Sequence, residues 1–517
     1  MRFDASRWLP GVVMYRDPRT ASRRARKPFR SNASLAIESL EARLLLSAVN
    51  VTSYHNDPAS TGQNLNESVL TPVNVNSTTF GKLHTTAVDG QVYAQPLYMA
   101  GVNVTAGAQI GIHNVTYVAT EHDTLYAIDA DSGAILWQDT FLVPAPGLTG
   151  SVTVTTVSSV ASEANSNDIN PQIGITSTPA IDTATGFLYC VANTKQVVDG
   201  NTNNPHFIYT LNKVDIHSGA FTSIVIGDTS YQSSSDTFTY NSGPSVLGNG
   251  DGAVTVNNQQ TIIFNALRQL QRAAVTLNNG KVYLAFASHG DVLPFHGWIL
   301  GYDENTLAAT AVFNANPNGD DSGIWQGGGK IAIDSQGFMY VETGNGLFDG
   351  TLNAQGFPVN GDYGDSFLKL AVDPTLTSAN PNINGWGIKV VDYFTPHNQQ
   401  DLNFSDTDLG SGGPLVLPAT IGPVTIGNST HPNLLVGAGK EGLIYVIDRD
   451  NMGHYDANTD NVVQELSGMP NGGSYGTPSL FFDGVKSRIY YVGQNDFAKS
   501  FTLSNAILAI DGASPDS

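Results

Sequence analysis

One arrangement recurs from about residue 90 to residue 505, and it limits the fold more than any other feature of the chain. A Pro or Gly opens a short apolar strand, a second strand carries an aromatic residue, and a third ends in Asp and a turn. The first unit reads Gln95-Pro96-Leu97-Tyr98, then Thr116-Tyr117-Val118-Ala119, then Leu125-Tyr126-Ala127-Ile128-Asp129. The second reads Thr178-Pro179-Ala180-Ile181, Leu188-Tyr189-Cys190-Val191 and Lys213-Val214-Asp215. Units three to six open at Arg272-Ala273-Ala274-Val275, Gly329-Lys330-Ile331-Ala332, Gly413-Pro414-Leu415-Val416 and Thr477-Pro478-Ser479-Leu480. The third strands of units three to five end at Asp303, Asp373 and Asp448, and that of unit six runs through Ser500-Phe501-Thr502.

The physics of the pattern is simple. Small apolar residues mixed with aromatics make strands buried on one or both faces. Pro is tolerated at a strand start, where its missing N–H breaks no ladder bond. An Asp just past a strand binds backbone N–H groups and starts the turn. One unit cannot bury both of its faces, whereas several arranged radially can. The expected fold is therefore all-β, a propeller of four-stranded antiparallel blades. With 53 glycines and 13% charged residues, the composition suits short strands and tight turns. No run of about 18 apolar residues exists to cross a membrane as a helix.

The stretch Thr124-Leu125-Tyr126-Ala127-Ile128-Asp129-Ala130-Asp131-Ser132-Gly133-Ala134-Ile135-Leu136-Trp137 resembles the repeat of the pyrroloquinoline-quinone (PQQ) dehydrogenases, Leu-Tyr-Ala-Leu-Asp-Ala-x-Thr-Gly-x-x-x-Trp. The resemblance is strong in units one and five and looser elsewhere. It implies that Trp137 docks against the neighbouring blade and that PQQ and Ca²⁺ are the cofactors to test for. It also implies that residues 51–89, with Tyr54-His55-Asn56-Asp57-Pro58-Ala59-Ser60-Thr61-Gly62 and a strand starting at Phe80-Gly81-Lys82-Leu83, help to close the ring. Those dehydrogenases close with eight blades, so the six units here point to a smaller ring, or to one of seven or eight whose domain continues past Ser517. Their pair of adjacent cysteines is excluded, because Cys190 is the chain's one cysteine. No run matches their Glu, Asn and Asp calcium ligands or their catalytic Asp, and the catalytic residues stay unknown.

Charge divides the chain in two. Residues 1–48 hold ten Lys and Arg against four Asp and Glu, a balance of +6, and the other 469 residues hold 14 basic against 41 acidic side chains, −27. An acidic body repels phosphate backbones, so nucleic acid is not an expected partner. The basic Arg23-Arg24-Ala25-Arg26-Lys27 precedes Leu40-Glu41-Ala42-Arg43-Leu44-Leu45-Leu46-Ser47-Ala48, which resembles the Leu-Glu-Pro-Arg-x-Leu-Leu-Ser motif near the N-termini of some exported bacterial proteins. Residues 1–48 are thus read as an export leader, disordered or removed, and 49–517 as a propeller outside the cytoplasm, expected to be monomeric. A basic tail on a cytoplasmic protein is the alternative.

Four glycine-rich clusters sit mostly just after a second strand, where blade symmetry gathers loops at one end of the ring. They are Ser288-His289-Gly290-Asp291 with His296-Gly297-Trp298, Glu342 through Asp349, Asp401 through Gly413, and Gly439-Lys440-Glu441-Gly442. Glycines let backbone approach a ligand, and loops on a rigid frame carry function. The candidate ligand-binding residues are His289, Asp291, His296, Trp298, Glu342, Asn345, Lys440 and Glu441. The candidate calcium ligands are Asp291, Glu342, Asp406 and Asp408, since Ca²⁺ prefers carboxylate and carbonyl oxygens. Beside each stands the plainer reading of tight turns, solvent-facing histidines, a surface Lys–Glu pair and, for Trp298 and Trp325, burial in the core. No nucleophile elbow, P-loop, CxxC or HExxH occurs, so hydrolase, NTPase and zinc-protease functions find no support.

The functions left open are a propeller that binds a small molecule, glycan or protein with its channel-end loops, a divergent PQQ- and calcium-dependent oxidoreductase acting on alcohols or sugars, and a structural module of a larger surface protein. The leader reading carries its own check. Mass spectrometry of the native protein should find no peptides from residues 1–45, and an intact Met1 end would count against cleavage.

Overall fold

The computed structural model describes residues 49–517 apart from 68–69, 72, 167, 422–423, 427–428, 470–471, 483–484, 505–506 and 515–517. The leader expectation for 1–48 lies outside the described residues.

Six antiparallel meanders follow one another along the chain. Blade 1 is Leu97–Val104, Gly111–Ala119, Thr124–Asp129 and Ile135–Thr140. Blade 2 is Ala180–Asp182, Phe187–Val198, His206–Asp215 and Phe221–Gln232. Blade 3 is Thr276–Asn278, Lys281–Ser288, Trp298–Asp303 and Ala309–Asn314. Blade 4 is Ala332–Ile333, Met339–Glu342, Phe367–Asp373 and Gly385–Phe394. Blade 5 is Leu415–Val416, Leu434–Ala438, Leu443–Asp448 and Gln464–Ser467. Blade 6 is Ser479–Phe482, Ser487–Val492, Ala498–Ser504 and Ile507–Ala513. Among the described residues the one α-helix is Gln399–Phe404. This is the expected propeller of four-stranded blades.

The two-residue period of a strand sends alternate side chains to opposite neighbours. In blade 2, Leu188, Cys190 and Ala192 pack with blade 1, while Tyr189 and Val191 pack with blade 3. Further apolar clusters join blades 3 and 4, 4 and 5, and 5 and 6. The turn aspartates behave as their spacing requires. Asp129 accepts the Ser132 backbone N–H (2.7 Å) and hydroxyl (2.6 Å). Asp303 likewise accepts the N–H groups of Asn305 and Thr306.

Trp137 is 5% exposed and belongs to the cluster shared by blades 1 and 2. It lies under the turn of blade 2 at Gly219, whose φ is +80° and where an added Cβ would sit 3.0 Å from the indole and 2.0 Å from an Asp139 oxygen. Glycine is needed there both for its left-handed backbone and for the indole's approach.

The lead-in departs from expectation. Residues 80–88 form no strand, and Phe80 and Leu83 are exposed. Residues 51–61 instead run along the inner edges of the blades. The N–H groups of Tyr98, Ile181, Ile333, Val416 and Leu480 donate to the carbonyls of Val51, Thr52, Pro58, Ala59 and Thr61, at 2.7–3.1 Å. The five donors occupy equivalent places in the innermost strands of blades 1, 2, 4, 5 and 6. An innermost strand has no sheet neighbour on its axial side, so these donors would otherwise be left unpaired. A compact loop holds the lead-in in place, with Asp57 and Gly62 N–H groups on the His55 carbonyl at 2.8 and 3.1 Å.

Truncating Trp137 empties this interface. Trp137→Ala should lower unfolding free energy by about 3–5 kcal/mol, the usual cost of removing a large core aromatic. Urea denaturation measures it, and a loss under about 1 kcal/mol would mean that the indole does not dock the two blades.

Candidate functional site

The loops after second strands and the connections entering first strands share one rim of the ring, and on the side of blades 3, 4 and 5 they enclose a pocket of about 220 Å³. Asp291 and Phe295 enter it from the loop of blade 3, Asp321 and Trp325 from the connection to blade 4, and Asn345 from the loop of blade 4. Asn403, Asp406 and Asp408 come from the connection to blade 5. The loops are tied together by charge-assisted bonds. Asn345 donates its backbone N–H to Asp408 (2.7 Å) and its side-chain amide to Asp406 (2.9 Å). Lys440, from the loop of blade 5, bridges Asp408 at 2.5 Å and Asp406 at 2.9 Å. Gly344 permits this closeness, since an added Cβ would stand 2.4 Å from an Asp408 oxygen and 2.6 Å from Trp325.

Electrostatically the pocket is overloaded with acid. Burial and the neighbouring Asp320 and Asp291 push the Asp321 carboxyl up to about 7. Burial also raises Asp291, with Asp408 and Asp406 adding to the effect, while the Ser288 hydroxyl at 2.8 Å opposes it. Burial draws the Lys440 ammonium down, but Asp408 and Asp406 more than offset that and hold it above its ordinary value. Asp321 Oδ1 and Asn345 Oδ1 are buried acceptors with no hydrogen-bond donor. Asp291, Asp321 and Asp406 all have left-handed backbone, with φ of 54°, 58° and 52°. That is a conformation few non-glycine residues adopt, and it collects at sites where the surroundings enforce it.

Of the residues singled out in the sequence, the structure thus gathers Asp291, Asn345, Asp406, Asp408 and Lys440. The rest lie elsewhere. His289 is buried beside Arg268, which together with burial pushes its imidazole down to about 3. His296 is buried, with its ring nitrogens on the backbone carbonyls of Asn316 (3.0 Å) and Asp251 (2.8 Å). Trp298 is wholly buried in the core between blades 2 and 3. Glu441 turns outward, to the Asn398 amide at 2.9 Å and the Tyr445 hydroxyl at 3.2 Å. Glu342 is fully buried against Gly437, with neither carboxyl oxygen paired and its acidity strongly suppressed by burial.

The proposed calcium set of Asp291, Glu342, Asp406 and Asp408 is therefore split, because Glu342 alternates into the interface of blades 4 and 5 instead of the rim. Among the described residues no group of three or more His, Cys, Asp or Glu side chains is arranged to hold a metal. Nor does the pocket fit PQQ, a tricarboxylate, because four aspartates line it and its nearest cation is already paired twice. Phe295, Asp321, Trp325 and Asn403 were missed in the sequence. Phe295, Asp321 and Trp325 stand outside the glycine clusters; the loop of blade 3 brings Phe295 to the rim, and blade-to-blade connections bring Asp321, Trp325 and Asn403.

No protein-family model matches the chain, and no curated protein sequence does. Among solved structures it is similar to a europium-containing methanol dehydrogenase, at 11% identity and a TM-score of 0.48, over 90% of this chain and 78% of that one. It is also similar to quinohemoprotein alcohol dehydrogenases. The Pseudomonas putida HK5 enzyme ADHIIG is 14% identical (TM-score 0.42) over 88% of this chain and 57% of that one. The Comamonas testosteroni enzyme is 12% identical (TM-score 0.43) over 88% and 59%. The chain spans less than three-fifths of the length of these two enzymes.

The raised Asp321 makes a signed prediction. Unfolded, the carboxyl ionises near pH 4; folded, it keeps its proton to about pH 7. Ionisation in the native state is therefore penalised as pH rises through that window, and Asp321→Asn removes the penalty. The stability of the variant relative to wild type should be unchanged at pH 4 and rise by about 1–2 kcal/mol by pH 8, allowing for the group's partial exposure. Urea melts across this range measure it, and a pH-independent difference would show an ordinary carboxylate.

Proposed function

We propose that this chain is an extracytoplasmic binding propeller whose rim pocket takes a small organic cation, either a free amine or the ammonium end of a larger ligand. The observation that carries the reading is the pair of buried acceptors without donors, Asp321 Oδ1 and Asn345 Oδ1, on the wall of an acidic pocket beside Trp325 and Phe295. An ammonium group supplies N–H donors to both acceptors and positive charge to Asp291 and Asp321. An indole face adds a favourable cation–π contact of about 0.5–2 kcal/mol. The pocket volume suits a head group, not a whole cofactor. Location outside the cytoplasm rests on the leader motif at Leu40–Ala48. Calcium binding at the same aspartates is the second reading, favoured by Asp406 and Asp408 but opposed by the buried Glu342 and the Lys440 bridges.

Calorimetry with putrescine, choline and Ca²⁺ separates the two readings. Putrescine or choline should bind the wild type and lose about tenfold or more in affinity in Asp291→Asn with Asp321→Asn, with the binding weakened by salt. Heat from Ca²⁺ alone, abolished by Asp406→Asn, would replace this reading with the calcium one. No heat from any probe would remove the pocket as a cation site.

A further inference from the structure

A second cavity differs from the rim's acidic pocket in chemistry. It is an open groove of about 860 Å³ on the outer side of the ring, and none of its lining residues is charged. Blades 2 and 3 contribute residues 224–226, Tyr302, Leu307, Ala309 and Val312, and the other walls come from elements that the six-unit pattern does not contain. One is a small sheet of Ser245–Leu247, Gln259–Ile263 and Val254–Val256, inserted in the connection from blade 2 to blade 3. Facing it is the segment 378–386, which leads into the outer strand of blade 4. That strand pairs with the outer strand of blade 3 through Val312–Trp386 and Phe313–Gly385, which fixes the Trp386 ring at the groove.

We infer that this groove binds a neutral oligosaccharide. The half-buried Trp386 ring offers a flat apolar face on which the C–H surface of a sugar packs, with the buried Tyr302 forming part of the groove's floor. The side chains of Ser242, Ser245, Asn257, Gln259 and Ser378 line the same groove and make no hydrogen bond among the described residues. Amides and hydroxyls both donate and accept, as the hydroxyls of a sugar do. On a body carrying −27, a groove free of charge has no cation to draw an acidic sugar, phosphate or sulfate. A lipid chain would leave the amides of Asn257 and Gln259 without partners. The volume stands near the upper end of the range for small-molecule sites, which suits several linked rings over one.

The inference shares no residue with the cation pocket, so one experiment tests it separately. Calorimetry on the full chain uses maltohexaose, cellohexaose and xylohexaose as neutral probes and hexagalacturonate as the charged one. At least one neutral hexasaccharide should bind while hexagalacturonate does not. Affinity should fall about tenfold or more in Trp386→Ala, the loss expected of an aromatic anchor. Trp386 also packs against the core, so a hairpin variant, the exposed Gln259→Ala with Ser245→Ala on the strand beside it, keeps the wild-type melting temperature and loses binding. Asp291→Asn with Asp321→Asn should bind the sugar as wild type does. No saturable heat with any neutral probe, equal binding of hexagalacturonate, or wild-type affinity in the hairpin variant would overturn the inference.

Discussion

The architecture depends on what becomes of the inward-facing N–H groups of its innermost strands. A blade ends, at the axis, in an edge strand, and a buried N–H without an acceptor costs about 1–3 kcal/mol. Here the carbonyls of residues 51–61 meet five such donors, from blades 1, 2, 4, 5 and 6. The lead-in thus acts as a shared sheet partner for five of the six blades. Among the described residues no apolar cluster is common to blades 6 and 1, and the lead-in connects them, with Val51 on Tyr98 and Thr61 on Leu480.

With the axis occupied and both faces of most blades committed to neighbours, chemical variety is confined to the loops and to insertions outside the ring. The two cavities show both routes. On the rim, four loops and connections press acidic side chains together until Asp321 resists ionisation. On the outer side, an inserted sheet and a folded segment build a groove with no charge at all. A frame that is the same in every blade can carry sites of opposite character because the distinguishing residues of each site come from loops and insertions.

How much of this could be read from the sequence follows from the range over which each signal acts. The Pro or Gly opening, the aromatic second strand and the terminal Asp are local, so five units appear where the pattern places them. In the third, the first strand forms at Thr276–Asn278, just past the expected Arg272–Val275, because Ala274 bonds across to Gly329 at 2.9 Å. The gathering of Asp291, Asn345, Asp406, Asp408 and Lys440 follows from blade symmetry alone. Symmetry says which end a loop occupies but not which way a side chain turns. Glu342 and Trp298 lie on strands, where alternation sends them into interfaces, and His296 is held by two carbonyls from distant segments. Asp321 and Trp325 belong to a connection without a repeat signature. The inserted sheet at 245–263 has none either, so nothing local announces the groove.

The lead-in also imposes an order in time. Gln63 and the Phe482 N–H that it receives are 419 residues apart. At synthesis rates of about 5–20 residues per second, roughly 20–80 s separate the emergence of the belt from that of its last partner. For that interval the belt holds strand-like backbone acceptors awaiting donors from blades not yet made. Such unpaired backbone is a template for pairing with other chains. A chain built this way is most exposed to misassembly while it is being made, so its yield depends on whatever shields nascent strands, far more than on the stability of the finished ring.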